Sequence, residues 1–205
     1  MKYLMTVVCT AALLAGCSGD VPGVNARESS GDRSKADANG NLSKVMVDRD
    51  QMENRNGLYF LPNEDVPYTG VASSNYENGQ KQSEGSFKAG KEEGLWTSWR
   101  ETGQKQEEVI YGTGKKEGLW KWWHENGQKA SEGTYSGGKE EGLHTYWHAN
   151  GQKASEGIFK DGKEEGLHTY WYANGQKSAE STYRDGKPDG LWIFYNEDGT
   201  EKSRT

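Results

Sequence analysis

From residue 70 onward, polar and aromatic positions alternate in short runs, and the whole pattern returns every 24 residues. Gly70, Gly94, Gly118, Gly142, Gly166 and Gly190 form one phased series, and Gly90, Gly114, Gly138, Gly162 and Gly186 form another. A turn dipeptide recurs as Asn78-Gly79, Thr102-Gly103, Asn126-Gly127, Asn150-Gly151, Asn174-Gly175 and Asp198-Gly199. Period-two alternation predicts strands, and a Gly every few residues argues against helix. A fixed period of this length marks a repeat architecture. Asn-Gly between β-rich runs predicts a two-residue type I′ turn, with positive φ at both central residues. The Gly-Lys steps at 90–91, 114–115 and onward predict the return turn to the next hairpin. The expected fold class is therefore all-β: an elongated antiparallel meander of tandem 24-residue β-hairpins, six of them over residues 70–205. At about 4.8 Å per strand it would extend on the order of 55 Å.

The turn also sets an expected register. With Asn126-Gly127 as a two-residue loop, Glu125 pairs with Gln128, His124 with Lys129 and Trp123 with Ala130. Further out, Trp122 meets Ser131, Lys121 meets Glu132 and Trp120 meets Gly133. One face then carries Leu119, Lys121, Trp123 and Glu132, and a ladder of Trp99, Trp123, Trp147, Trp171 and Tyr195. The other collects rings at Trp120, Trp122, Tyr135, Tyr146, Phe159, Tyr170, Tyr183, Trp192 and Phe194. Trp120 laid across Gly133 would cover the exposed glycine backbone. Lys121 opposite Glu132 predicts a cross-strand ion pair.

Composition narrows the reading. Only 32% of the residues are hydrophobic, little aliphatic material for a compact core, while the regular aromatic pattern is unlike disorder. A net charge of −6 leaves no broad basic face and argues against a nucleic-acid partner.

The first residues follow another rule. Lys2 precedes an apolar run that ends in Leu14-Ala15-Gly16-Cys17, too short to span a bilayer but suited to a signal-peptide core. "LAGC" resembles a bacterial lipobox. That resemblance implies cleavage after residue 16, acylation of Cys17, and, with Ser18 next, an outer-membrane address in the bacterial envelope. Cys9 would leave with the signal, so the mature chain would hold no disulfide. Residues 17–44 read as a flexible, lipid-anchored tether reaching roughly 30 Å. Residues 45–69 read as a lead-in cap.

The unit "EEGLWxxWxxNGQKxxEGxYxxGK" resembles the MORN repeat variant, and bacterial arrays of it resemble the YwqK antitoxin family. The match runs over about residues 65–202. The first unit departs at Ala72–Asn75, which lacks the Trp pair, as a capping repeat would. His144 and His168 stand where the pattern has Trp, and Val109 and Ser181 where it has Gly. The resemblance implies a protein-binding or membrane-associated scaffold, or an immunity protein that blocks a toxin arriving from a neighbouring cell.

No catalytic constellation emerges. Equivalent positions in adjacent hairpins are about 10 Å apart, so neither the histidines nor the recurring Glu84, Glu108, Glu132, Glu156 and Glu180 converge on a metal or a scissile bond. There is no Gly-x-Ser-x-Gly elbow, and no helix follows the glycines to make a phosphate loop. The expectation is a non-enzymatic scaffold without cofactor or metal that binds a protein partner along its sheet. The membrane is reached through Cys17. The candidate partner surface is Trp96, Trp120, Trp122, His144, Tyr146, His168, Tyr170 and Trp192. A toxin and cell-wall glycan stacked on the rings are the alternative partners.

Overall fold

The computed structural model describes residues 46–205, together with the backbone of two short strands, β1 (Ser34–Ala36) and β2 (Leu42–Lys44), which pair antiparallel inside the expected tether. Cys17 and the signal peptide lie outside the described residues. The lead-in comprises β3 (Met46–Asp48), a 3-10 turn at Arg49–Gln51, and the hairpin of β4 (Glu53–Arg55) and β5 (Leu58–Phe60). Then follow β6 (Gly70–Asn75), β7 (Lys81–Lys88), β8 (Lys91–Trp99), β9 (Lys105–Gly112), β10 (Lys115–Trp123), β11 (Lys129–Ser136) and β12 (Lys139–Trp147). The chain ends through β13 (Lys153–Lys160), β14 (Lys163–Trp171), β15 (Lys177–Arg184), β16 (Lys187–Pro188), β17 (Ile193–Tyr195) and β18 (Glu201–Arg204).

One fourteen-stranded sheet takes these strands from β6 onward in chain order, every neighbour antiparallel, except that β16 and β17 both pair with β15, and it adds β3 at its first edge. The expected meander is thus present, with one difference: β3 pairs with β6 in parallel. The chain between them carries the β4–β5 hairpin, which packs Tyr59 on Phe87 with ring centroids 4.8 Å apart. Tyr68 is buried against Ala72, Phe87, Trp96 and Val109 in the principal hydrophobic cluster. The lead-in ring Tyr68 therefore packs on buried Ala72, which stands where the next unit has Trp96.

The Asn-Gly turn is not the expected two-residue type I′ turn. At Asn126-Gly127 the Gly127 N–H donates to the His124 carbonyl (3.0 Å) and His124 N–H to the Gln128 carbonyl (2.8 Å). Only Gly127 has positive φ (+82°). This is a type I turn closed by a glycine bulge, a three-residue loop. Asn126 is needed for its side chain: Oδ1 accepts from Gln128 N–H (3.1 Å), and Nδ2 donates to the Ala149 carbonyl of the next turn (2.5 Å). The extra residue shifts the inner register, so that Trp123 pairs with Lys129 and not Ala130, while Trp122–Ser131, Lys121–Glu132 and Trp120–Gly133 hold. The two-residue turns with positive φ at both positions are the return turns, for example Asp161 (+54°) and Gly162 (+78°).

Glycines 94, 118, 142 and 166, at φ near +75°, make a second irregularity. Gly94, Leu95 and Trp96 together oppose the single residue Gly85, because Glu84 pairs with Thr97 and Ser86 already pairs with Glu93. This wide bulge throws the leucine outward, leaving Leu95 at 56% and Leu143 at 54% exposure. It also lowers the next ring onto the facing glycine. A Cβ on Gly85 would sit 2.1 Å from the Trp96 indole, and one on Gly133 would sit 2.2 Å from the His144 ring. The ring over Gly133 is therefore His144 from the following strand, not its register partner Trp120. Gly133→Ala is expected to lower stability by about 1–3 kcal/mol through overpacking. Leu143→Ala, at the exposed side of the same bulge, should change it by less than about 1 kcal/mol. Urea midpoints of the two variants compare them directly.

Candidate functional site

Three return hairpins lay a bulge ring on a glycine, Trp96 on Gly85, His144 on Gly133 and His168 on Gly157, and in another Trp120 stands opposite Val109. These rings interleave with those of the odd strands. Tyr135 lies 5.7 Å edge-on from His144, His144 4.9 Å from Phe159, Phe159 5.5 Å from His168 and His168 4.9 Å from Tyr183. Edge and tilted contacts at these spacings are the favoured geometry for aromatic pairs. The spine is thus the core of the array, and it corrects part of the expected surface. Trp96 is 5% exposed, His144 0% and His168 4%, so these three are structural rings with no area for a partner. The expected residues that remain half-buried on this face are Trp120, Trp122, Tyr146, Tyr170 and Trp192.

The histidines have specific structural work. His144 Nε2 donates to the Thr134 carbonyl (2.9 Å) and His168 Nε2 to the Ile158 carbonyl (3.0 Å), the part Trp96 Nε1 plays toward the Ser86 carbonyl (3.2 Å). His124 and His148 sit at the other end of the strands. Their Nε2 atoms donate across one full repeat to the Trp147 carbonyl (2.8 Å) and the Trp171 carbonyl (2.9 Å). Tyr76, Arg100 and Tyr172 make the same bond to the Trp99, Trp123 and Tyr195 carbonyls. All four histidines are thus placed by donors that another ring or a guanidinium can replace.

The opposite face carries the Trp ladder, closed by lysines. Lys81 Nζ lies 5.3 Å from the Trp99 centroid, Lys105 5.4 Å from Trp123, Lys129 5.1 Å from Trp147 and Lys153 5.6 Å from Trp171. The same lysines hold the recurring glutamates, as in Lys129–Glu132 at 2.8 Å and Lys153–Glu156 at 2.6 Å. Glu132 is therefore paired along its own strand by Lys129 and not across it by Lys121.

A row of groups that the sequence did not single out borders the half-buried rings: Glu92, Lys116, Glu140, Glu164 and Pro188, each opposite an aromatic of the preceding strand. The signal for it was the lysine in "GKKEG" at 114–118, where neighbouring repeats have "GKEEG". These carboxylates act on the phenols around them. Burial raises Tyr146, and Glu140 and Glu164 add to the rise from either side. Burial, then Glu140, Tyr146 and Glu107, push Tyr135 from 10.0 up to about 12. Tyr170 is raised by burial and by its hydrogen bond with Tyr183.

Because Tyr135 ionises at a higher pH folded than unfolded, its contribution to stability is complete below about pH 10 and is lost as pH climbs toward 12. The urea midpoint should fall between those values. Tyr135→Phe should make the fall shallower, leaving a remainder from Tyr111, Tyr146 and Tyr170, which are raised in the same direction.

No helix among the described residues is long and apolar enough to cross a membrane. A solved structure of a mutant S. aureus TarM in complex with fondaparinux, alpha-GlcNAc-glycerol and UDP is similar over 47% of this chain, at 9% identity and a TM-score of 0.32. The chain spans 19% of that protein. No curated protein matches the sequence. Residues 68–89, 116–136, 140–161 and 164–185 match the family described as MORN repeat variant, so the array carries four repeats of that kind.

Proposed function

We propose that the protein is a non-enzymatic repeat scaffold that holds a partner protein along the face bearing Trp122, Tyr146 and Tyr170. The observation that carries this reading is the placement of these rings. They stand at equivalent positions of successive repeats, half-buried, on one side of an ordered sheet. The neighbouring bulge rings Trp96, His144 and His168 are buried in the core. Rigid amphipathic rings on a preorganised surface dominate interface energies, and they lose little side-chain freedom on binding. A repeat spacing of about 10 Å presents such anchors as a regular series to an elongated ligand. In the same proposal, acylated Cys17 and the following residues tether the array to the bacterial envelope, on the strength of the "LAGC" segment.

The triple variant Trp122→Ala, Tyr146→Ala, Tyr170→Ala tests the face. Photocrosslinking of the full-length lipidated protein in its own cells should recover a stoichiometric partner protein. The triple variant, if it keeps a cooperative melt, should lose that product at least about tenfold, the expected cost of removing central aromatic anchors. An unchanged crosslink would overturn the reading. Radiolabelled palmitate incorporated in the wild type and absent from Cys17→Ser tests the tether separately.

A further inference from the structure

The return hairpins differ in one respect that their repeat pattern hides. In the first, the Arg49 guanidinium lies 4.7 Å from the Trp96 centroid and 5.8 Å from Tyr59, and donates to Glu92 Oε1 at 3.0 Å. In the second, Lys116 Nζ lies 5.4 Å from Trp120 and 5.3 Å from Tyr135, and donates to Glu107 Oε1 at 3.2 Å. Each of these sites holds a cation between rings and a carboxylate, a favourable arrangement where water is partly excluded. The third and fourth hairpins have the rings and the carboxylates, Glu140 and Glu164. Among the described residues, no Lys or Arg forms an ion pair with either one.

His144 makes the deficit specific. Its Nε2 donates to the Thr134 carbonyl, so Nδ1 of the neutral ring keeps a lone pair. That nitrogen is buried without a hydrogen-bond partner and lies 3.7 Å from Glu140 Oε1. In the neutral ring that nitrogen and the carboxylate are both acceptors, and an N–H donor brought to Glu140 would satisfy the carboxylate. His168 Nδ1 stands 3.8 Å from Glu164 Oε1 one repeat on. Both carboxylates remain accessible, at 28% and 33% side-chain exposure.

We propose that Glu140 and Glu164, flanked by Tyr135, Tyr146, Phe159 and Tyr170, form two matched pockets for successive basic side chains of an extended partner segment. This rests on the partner-binding reading above and names the chemistry of that partner. Arg49 and Lys116 show how such a side chain sits, and they fill the corresponding places of the earlier hairpins from within the chain. The pockets are one repeat apart, about 10 Å. In a polyproline II segment, every third side chain projects from the same side at intervals of about 9.3 Å. A basic residue at every third position therefore fits both pockets without distortion.

A fluorescent peptide of four Pro-Pro-Arg repeats is the probe, titrated by anisotropy against the full chain at low salt. Binding is expected. The isosteric pair Glu140→Gln and Glu164→Gln should weaken it about tenfold or more, the loss of charge-assisted bonds. These variants keep an acceptor for the Tyr135 hydroxyl, and a thermal melt checks the fold. Norleucine in place of arginine should abolish binding. As a control for bulk charge, Glu101→Gln with Glu125→Gln, in the exposed three-residue turns, should leave it within about twofold. Equal affinity for the Glu140/Glu164 variant, an equal loss in the control, or no binding by the wild type would each overturn the pockets. The two readings separate in the crosslinking experiment. If Trp122, Tyr146 and Tyr170 are required for partner capture while Glu140→Gln with Glu164→Gln is not, the face stands and the cation pockets fall.

Discussion

The contact on which the sheet depends is the ring laid over a glycine in three of the return hairpins, at Gly85, Gly133 and Gly157. With a Cβ on Gly133 only 2.2 Å from the His144 ring, nothing larger than glycine fits beneath the ring in its present position. The ring reaches that position because the strand bulges at Gly142, whose φ of +75° is accessible to glycine at little cost. The two glycine series are therefore one device in two parts. One glycine bends the strand, and the other makes room for what the bend delivers. The outward leucine is a by-product of the same geometry, which is why a chain poor in aliphatic residues still leaves several leucines half-exposed.

Once the ring is seated, the remaining order follows from its position. Its nitrogen donates to a backbone carbonyl in the three glycine hairpins, whereas Trp120 Nε1 donates to Glu107 Oε1 at 2.7 Å. The donor to the carbonyl is indole at Trp96 and imidazole at His144 and His168. At the other end of the strands, Tyr76, Arg100, His124, His148 and Tyr172 each reach one repeat forward to a backbone carbonyl. The sheet is thus tied along both margins by donors of several chemical types held to one geometry. Histidine is used here as a small ring with a directed N–H, and its substitution for tryptophan needs no metal or catalytic role.

The sequence made much of this legible. The period, the glycine series and the alternation of faces follow from spacing alone, and the outer pairs from Trp120–Gly133 to Trp122–Ser131 were correctly placed. The Asn-Gly turn was read as type I′ because Asn-Gly and Asp-Gly carry the same local signal for positive φ. What separates them is tertiary. Asn126 spends its amide on the carbonyl of the next turn, a bond that no single hairpin reveals. The ring over Gly133 was assigned to its register partner, because a regular ladder was assumed through Gly142. A glycine inside a strand signals a bulge, and that cue was present four times over. The burial of Trp96, His144 and His168 follows from the bulge, so a candidate surface chosen by aromatic character alone mixed core rings with accessible ones.

The repeat also explains why its irregular positions carry information. In a quasi-one-dimensional array each unit contacts only its neighbours, so a change that suits one unit need not be echoed in the rest. Lysine at 116 in place of glutamate is such a change. It converts an acidic position into an internal cation, and Glu107, where the other units have Ser or Ala, supplies the compensating carboxylate. Arg49 achieves the same balance from the lead-in. Proline at 188 replaces the charged side chain with an apolar ring, and β16 is only two residues long. Glu140 and Glu164 thus lie between a segment whose charges are balanced internally and one whose strand is interrupted. Stability alone would favour the arrangement of the second hairpin in all of them. The retention of two accessible carboxylates, one of them beside the unpartnered Nδ1 of His144, is accounted for if the balancing cations come from another molecule.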